Sequence, residues 1–200
     1  HLSLHLASWR PGRYELGNFA KNIKGFRVFD EHNNVLDAEK SNKDTWQIQT
    51  ANTSQIRVEY AYFANELNAG STYLDDQQLY INPVNCFLFT DESFSYELEL
   101  TIPSNWEIAS SLPFENNRCV VENFDRLADS PLICSAQLEK GTYEVNGHLF
   151  HVWFNNQKFI QWEKVLVDFE KFTKAQITDF SEFPAKEFHF LIQTRSESVV

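Results

Sequence analysis

Basic residues are scarce in this chain of 200 residues: 17 Lys and Arg stand against 28 Asp and Glu, a formal net charge of −11. Nucleic-acid binding draws much of its affinity from cations set against phosphates, so a balance of this sign argues against it. An anionic lipid surface would repel the chain in the same way, and Lys and Arg nowhere gather into a run of five. No apolar run approaches the roughly 20 residues of a membrane-spanning helix, and no signal peptide is legible. Methionine is absent and the sequence starts at His1. Loss of an initiating segment and a quirk of composition both account for this. A cytoplasmic location is the expectation, with the periplasm left open.

Cysteine is limited to Cys86, Cys119 and Cys134. An odd count at these spacings matches no zinc or redox pattern; three reduced thiols serving as small apolar fillers is the plain reading. Glycine totals only six, and both Gly-rich phosphate loops, the P-loop and Gly-x-Gly-x-x-Gly, are missing. So is the Gly-x-Ser-x-Gly elbow of many serine hydrolases. His-Glu-x-x-His, which sets two imidazoles one helical turn apart for zinc, does not occur. Only His148 and His151 lie near each other, and a spacing of three sends them to opposite faces of a strand. They read as surface or hairpin residues. No catalytic or metal-binding residue is assigned within these 200 residues.

What the chain does have is apolar and aromatic mass. Hydrophobic residues make up 42% and aromatics 15%, with 18 Phe. That rules out the compositional signature of disorder and points to a thick core, since alternating aromatics fill the space between two sheets. A sugar-binding platform is the functional rival to that reading.

Two-residue alternation dominates the first two-thirds. Leu2, Leu4 and Leu6 alternate with Ser3 and His5. Arg10-Pro11-Gly12-Arg13 suits a type II turn. Ile23 to Asp30 and Val35 to Glu39 flank His32-Asn33-Asn34 as a hairpin. Further strands are expected over 45–49, 55–63, 78–82, 86–90, 94–102, 106–110, 118–123 and 132–138. Thr142 to Val145 and His148 to Val152 flank Asn146-Gly147, the signature of a type I′ hairpin. Then the period changes. Phe159, Trp162, Val165, Leu166, Phe169, Phe172 and Ile177 recur at three and four, as on an amphipathic helix. Asn155 or Asn156 offers a cap, Pro184 a stop, and Glu187 to Gln193 a last strand. Many strands followed by strand, helix, strand predicts a mainly β chain: an antiparallel β-sandwich over 1–145, then the incomplete beginning of an α/β domain over 146–200.

Local chemistry has ordinary explanations. Asp75-Asp76 reads as a solvated turn. Asp125 and Asp129, ahead of Ser130-Pro131, read as an Asx-turn that opens a strand. Asn52-Thr53-Ser54 is formally a glycosylation sequon, which chance accounts for.

Two stretches together resemble the glycyl aminopeptidase family of zinc metallopeptidases. Ser8-Trp9-Arg10-Pro11-Gly12-Arg13-Tyr14-Glu15, followed by Asn18-Phe19-Ala20-Lys21-Asn22, is similar to that family's opening motif. Phe124-Asp125-Arg126-Leu127-Ala128-Asp129-Ser130-Pro131 is similar to its second landmark. Trp106 with Ala109-Ser110-Ser111-Leu112 resembles the segment before that landmark, and Phe188-His189-Phe190-Leu191 the strand leading into the active site. The likeness runs along nearly the whole chain, in order.

The resemblance implies a β-sandwich like that of the wider aminopeptidase N group, a thermolysin-like catalytic domain, and a PDZ-like domain. It implies removal of small N-terminal residues, Gly or Ala, from peptides. Zinc would be held by His-Glu-x-x-His and a later Glu, with the Glu of the motif as general base and a Gly-Gly-x-Glu-His-like element receiving the α-amine. None of these lies within the sequence, so the parent enzyme is expected to bind zinc and this portion to bind none and to be inactive. Trp9, Arg10, Pro11, Gly12, Tyr14, Asp125, Asp129 and Pro131 are carried over as structural motif residues. In the wider group a loop of the first domain reaches the cleft. By position Tyr80, Asn82 and Asn85 are the candidates for contact with a peptide backbone, against an ordinary turn around Pro83. The expected partners are the peptide and the remaining domains of the same chain, with neither nucleic acid nor membrane. The rival readings are a non-catalytic peptide- or carbohydrate-binding sandwich and an acidic interaction scaffold.

Overall fold

Alternating side chains build sheets in pairs, and the computed structural model shows how many layers that makes. It describes residues 1–12, 14–50, 53–180 and 183–194. Arg13 of the opening motif and Asn52 of the sequon lie outside them.

The first layer joins β1 (Leu2–Leu6), β4 (Ala38–Lys40), β5 (Thr45–Ile48) and β9 (Leu88–Phe89) in the order β4-β5-β1-β9. Against it packs the sheet of β2 (Ile23–Asp30), β3 (Val35–Leu36) and β6 (Ile56–Tyr62), ordered β3-β2-β6. Leu4, Leu6, Trp46 and Ile48 from one face meet Val28, Leu36, Ile56 and Val58 from the other. Phe26 stacks on Trp46 with centroids 4.6 Å apart, so this part of the aromatic excess is core. The expected strand 35–39 is divided. Val35 and Leu36 stay with β2, whereas Ala38–Lys40 crosses to β5. The chain bends at Asp37, whose carbonyl accepts from the Gln49 N–H at 3.0 Å, so one run serves both layers of the sandwich.

The middle layer is β7 (Tyr73–Leu74), β8 (Gln78–Ile81), β11 (Glu107–Ser110) and β13 (Leu132–Ser135), in the order β11-β13-β8-β7. Leu132, Ile133 and Cys134 are all fully buried. Leu132, Cys134 and Ile81 face Leu98, Leu100 and Phe87, whereas Ile133, Tyr80 and Ala109 face Trp153 and Leu191. A strand covered on both sides loses its alternation, hence the continuous apolar run. A two-stranded sheet of β10 (Tyr96–Glu99) and β12 (Arg118–Val121) completes this region.

The last layer is β14 (Leu138–Val145), β15 (His148–Asn155) and β16 (Glu187–Gln193). Asn146 and Gly147 both take positive φ, 53° and 81°, as a type I′ turn requires. β15 and β16 are parallel, joined by α3 (Trp162–Phe180), and parallel strands need such a crossover. Trp162, Val165, Leu166, Phe169 and Ile177 pack on Phe150, Val152 and Phe190. Two details differ from the periodic reading. Phe159 is exposed, and Asn155 belongs to β15 rather than to a helix cap. Between α3 and β16, Phe172, Phe180 and Phe188 line an apolar groove of about 480 Å³. No helix among the described residues is long and apolar enough to cross a membrane.

Candidate functional site

The opening motif makes a tight excursion. The Gly17 N–H donates to the Ser8 carbonyl at 2.7 Å, and Gly12 takes φ 73° at the third turn position. Trp9 and Tyr14 are exposed. Arg10 turns inward over the loop at Ala69–Ser71. An ideal Cβ on Gly70 would fall 0.7 Å from Arg10 Nη1, so only a residue without a side chain leaves that space to the guanidinium.

Beneath, Tyr80, Asn82 and Asn85 hold this loop in place. The Tyr80 hydroxyl donates to the Ala69 carbonyl at 3.0 Å. Asn82 Nδ2 donates to the carbonyls of Ala69 at 3.0 Å and Ser71 at 2.9 Å and lies 3.1 Å from the Tyr80 hydroxyl. Asn85 Nδ2 donates to the Gly70 carbonyl at 2.9 Å. Asn68 Oδ1 accepts from the Gly70 N–H at 2.9 Å. The three residues singled out as peptide contacts are thus brought together, but all are buried and their donors are turned to the loop. Pro83 opens a single helical turn, α1 (Pro83–Cys86), with Pro in its first turn where a missing N–H costs nothing. The expected strand 86–90 shrinks to β9 for that reason. Burial pushes the Tyr80 phenol up, opposed by its Asn82 hydrogen bond and by Arg10. Asn85 Oδ1 is buried without a hydrogen-bond partner among the described residues.

The second landmark is a helical turn, not the expected Asx-turn into a strand. In α2 (Phe124–Ala128), Asn123 Oδ1 caps the Arg126 N–H at 2.8 Å. Phe124, Leu127 and Ala128 are buried with Val84 and Leu112. Asp125 and Asp129 are exposed, and the Asp129 N–H donates to the Asp125 carbonyl at 3.1 Å. The segment before it is stitched on: Ser111 Oγ to Ser130 Oγ at 3.2 Å, Arg126 Nη2 to the Ser111 carbonyl at 3.2 Å, and Ser110 Oγ to the Pro131 carbonyl at 3.2 Å.

The two motifs meet. Arg10, Pro11 and Gly12 line one cleft of about 350 Å³ together with Ala69, Asn82, Val84, Ala128, Asp129 and Pro131. Arg10 also borders a second cleft of about 250 Å³ with Glu15, Lys21, Glu66 and Asn85. Such walls offer a guanidinium and loop backbone for binding. The thiols lie apart from these walls: burial pushes Cys86 up to about 12, and Cys134, also up to about 12, lies in the core.

Sequence reasoning passed over one group. His151 and His189 are direct partners in the parallel β15–β16 register, with ring centroids 4.4 Å apart. Glu187 Oε2 lies 3.4 Å from His151 Nε2 and 3.9 Å from His189 Nε2. His151 is 5% exposed, which corrects its reading as a surface residue. His148 does lie on the opposite face, its Nδ1 2.7 Å from the Ala185 carbonyl. Burial lowers His189 to about 4, helped by His151 and Lys140; burial, then Lys140, lowers His151. No local spacing announces a pair so far apart in sequence; only strand pairing across a βαβ unit creates it.

No curated protein matches the chain. A crystal structure described as an aminopeptidase N family protein from Idiomarina loihiensis superposes with a TM-score of 0.88 at 24% identity, covering 96% of this chain and 34% of that one. An M1 zinc metallopeptidase from Deinococcus radiodurans gives 0.47 at 11% identity, covering 94% of this chain and 47% of that one. The chain thus spans about a third to a half of these structures. The first likeness confirms the fold: antiparallel sheets arranged as in an aminopeptidase N-terminal region. The profile of the Peptidase M61 N-terminal domain matches residues 1–136, and the chain belongs to that family.

Proposed function

We propose that this chain is the N-terminal portion of a zinc-dependent aminopeptidase that releases small N-terminal residues, Gly or Ala, from peptides. One observation carries the reading furthest. The two motifs that resemble the glycyl aminopeptidase family, far apart in sequence, line a single cleft around Arg10. Membership of a peptidase family supports it, as does the aminopeptidase N description of the Idiomarina structure.

His-Glu-x-x-His is not among the 200 residues, and the clefts beside Arg10 hold no comparable ligand set. Hydrolysis is therefore assigned to further residues of the parent. The part played here is positional. Tyr80, Asn82 and Asn85 fix the loop beneath Arg10, and the Arg10 guanidinium, which borders both clefts, is the donor offered to a peptide backbone. The partners are the peptide and the parent's catalytic and PDZ-like domains.

The test is to express the complete reading frame that carries these residues and to assay Gly- and Ala-capped chromogenic substrates with and without chelator. Release that chelator abolishes and zinc restores is the expected result. No release, or release indifferent to chelator, would overturn the reading. The binding-module alternative has one observation in its favour, the groove lined by exposed Phe172, Phe180 and Phe188. Its polar side chains are Thr173 and Gln176, and Thr173 Oγ1 is already paired with the Tyr143 hydroxyl at 2.7 Å, which suits an apolar contact better than a sugar.

A further inference from the structure

We propose that His151, His189 and Glu187 form a binding site for a divalent transition-metal ion, zinc being the best fit, between the β14–β15–β16 sheet and the middle layer. Among the described residues this is the one group of three His, Cys, Asp or Glu whose ligand atoms all lie within 4.8 Å of one another. Zinc bonds of about 2.0–2.1 Å in tetrahedral geometry place neighbouring ligand atoms roughly 3.3–3.4 Å apart. His151 Nε2 and Glu187 Oε2 stand at 3.4 Å, and His189 Nε2 and Glu187 Oε2 at 3.9 Å, with all three ligand atoms within 4.8 Å of one another, so closure takes an inward shift of side chains already gathered. Two imidazoles and a carboxylate suit zinc and its neighbours in the first transition row, and a fourth position remains for water.

The site is partly pre-organised. Parallel pairing fixes both rings at one level of the sheet. Thr142 Oγ1 lies 3.3 Å from His151 Nδ1; with Nδ1 donating to it, Nε2 keeps its lone pair for a metal. Glu187 is the exposed member and marks the entrance.

Two features oppose an ion and make the inference testable. Lys140 stands over the Trp153 ring, 4.9 Å from its centroid, and its charge acts on both histidines; Arg126 acts on His189. Trp153 Nε1–H donates to His189 Nδ1 at 3.2 Å, so in the metal-free tautomer Nε2 of His189 carries the proton. On metal binding the Nε2 proton leaves to solvent, Nδ1 takes up one, and the Trp153 hydrogen bond breaks. Trp153 thereby competes with the ion.

The experiment uses the full-length chain, stripped with chelator and titrated with zinc against a chromophoric chelator. Bound equivalents and affinity are read together with tryptophan emission. His189→Ala is expected to remove one equivalent. Glu187→Gln, at an exposed position with little risk to folding, should weaken that equivalent by about 10-fold or more. Trp153→Phe should tighten it and remove the zinc-dependent change in emission. Far-ultraviolet circular dichroism checks that each variant is folded. If folded His189→Ala and Glu187→Gln bind the same number of ions at the same affinity as the wild type, the site does not exist. If Trp153→Phe weakens binding instead, the tautomer argument fails and the ligand assignment of His189 with it.

Discussion

Asn82→Ala separates two roles for the residue that sequence position offered as a peptide contact. Its Nδ2 group serves the partly buried carbonyls of Ala69 and Ser71 and lies within reach of the Tyr80 hydroxyl. Alanine leaves Ser71 without this donor, while Ala69 keeps the Tyr80 hydroxyl at 3.0 Å. Leaving the partly buried Ser71 carbonyl without its donor costs roughly 1–3 kcal/mol at most, and the other lost bonds add about 0.5–1.5 kcal/mol. The expected sum is about 1.5–4.5 kcal/mol. For a chain of this size that lowers Tm by roughly 3–18 °C, at about 2–4 °C per kcal/mol. Urea denaturation supplies the free energy, and amide exchange at Gly70 and Ser71 supplies the location, with protection lost there before it is lost in β13. Asn85→Ala is the companion. It orphans the buried Gly70 carbonyl but also removes a buried acceptor that has no partner, two terms of similar size and opposite sign, so it should cost about 1 kcal/mol or less. A stability change for Asn82→Ala within about 0.5 kcal/mol of zero, together with a raised KM in the parent enzyme, would refute the internal role and return Asn82 to the substrate.

Three further outcomes follow from the packing and the electrostatics. Gly141 faces α3, and a Cβ there would lie 2.3 Å from Trp162 Cζ3 and 2.4 Å from Cε3. Gly141→Ala should therefore destabilise by about 1–3 kcal/mol through overpacking against a rigid ring, and pairing it with Trp162→Leu should recover part of that loss in urea titrations; a stabilised Gly141→Ala would contradict the packing. Asp30 accepts from the His32 and Asn34 N–H groups at 2.9 and 2.8 Å and from Asn34 Nδ2 at 2.8 Å, and the Asn34 side-chain bond foremost holds its carboxyl below the ordinary value of 3.8. Because the folded value is the lower one, this contribution is full above pH 3.8 and is lost as the pH falls below it; amide exchange at His32 and Asn34 should speed up on that descent, and Asp30→Asn should remove the dependence. Cys86 and Cys134, raised to about 12 by burial, should resist iodoacetamide at pH 8 and react fully in urea; fast labelling of the folded chain would show that the core opens.

Periodicity carried the strand register because a half-buried strand needs only its own alternation to declare itself. That is why β1, β6 and the Asn146-Gly147 hairpin stand where the residues place them, and why Trp162 to Ile177 forms the crossover helix. Alternation cannot say which sheet a strand joins. Val35 to Glu39 reads as one strand, yet its halves belong to opposite layers because the bend at Asp37 depends on a bond from Gln49. The Asn123–Pro131 element shows another limit: Asn123 caps a helical turn because Leu127 and Ala128 find a core beneath them, and that core comes from residues remote in sequence. Residue types in order were enough for the motifs around Arg10 and Asp129 and for the exclusion of nucleotide loops and the serine elbow. That the two motifs share a cleft, that Asn82 and Asn85 spend their donors on the loop at Gly70, and that His151 meets His189 were decided only when β-pairing closed long stretches of chain. Each is a contact between distant residues, and its position depends on the pairing of whole strands rather than on any local preference.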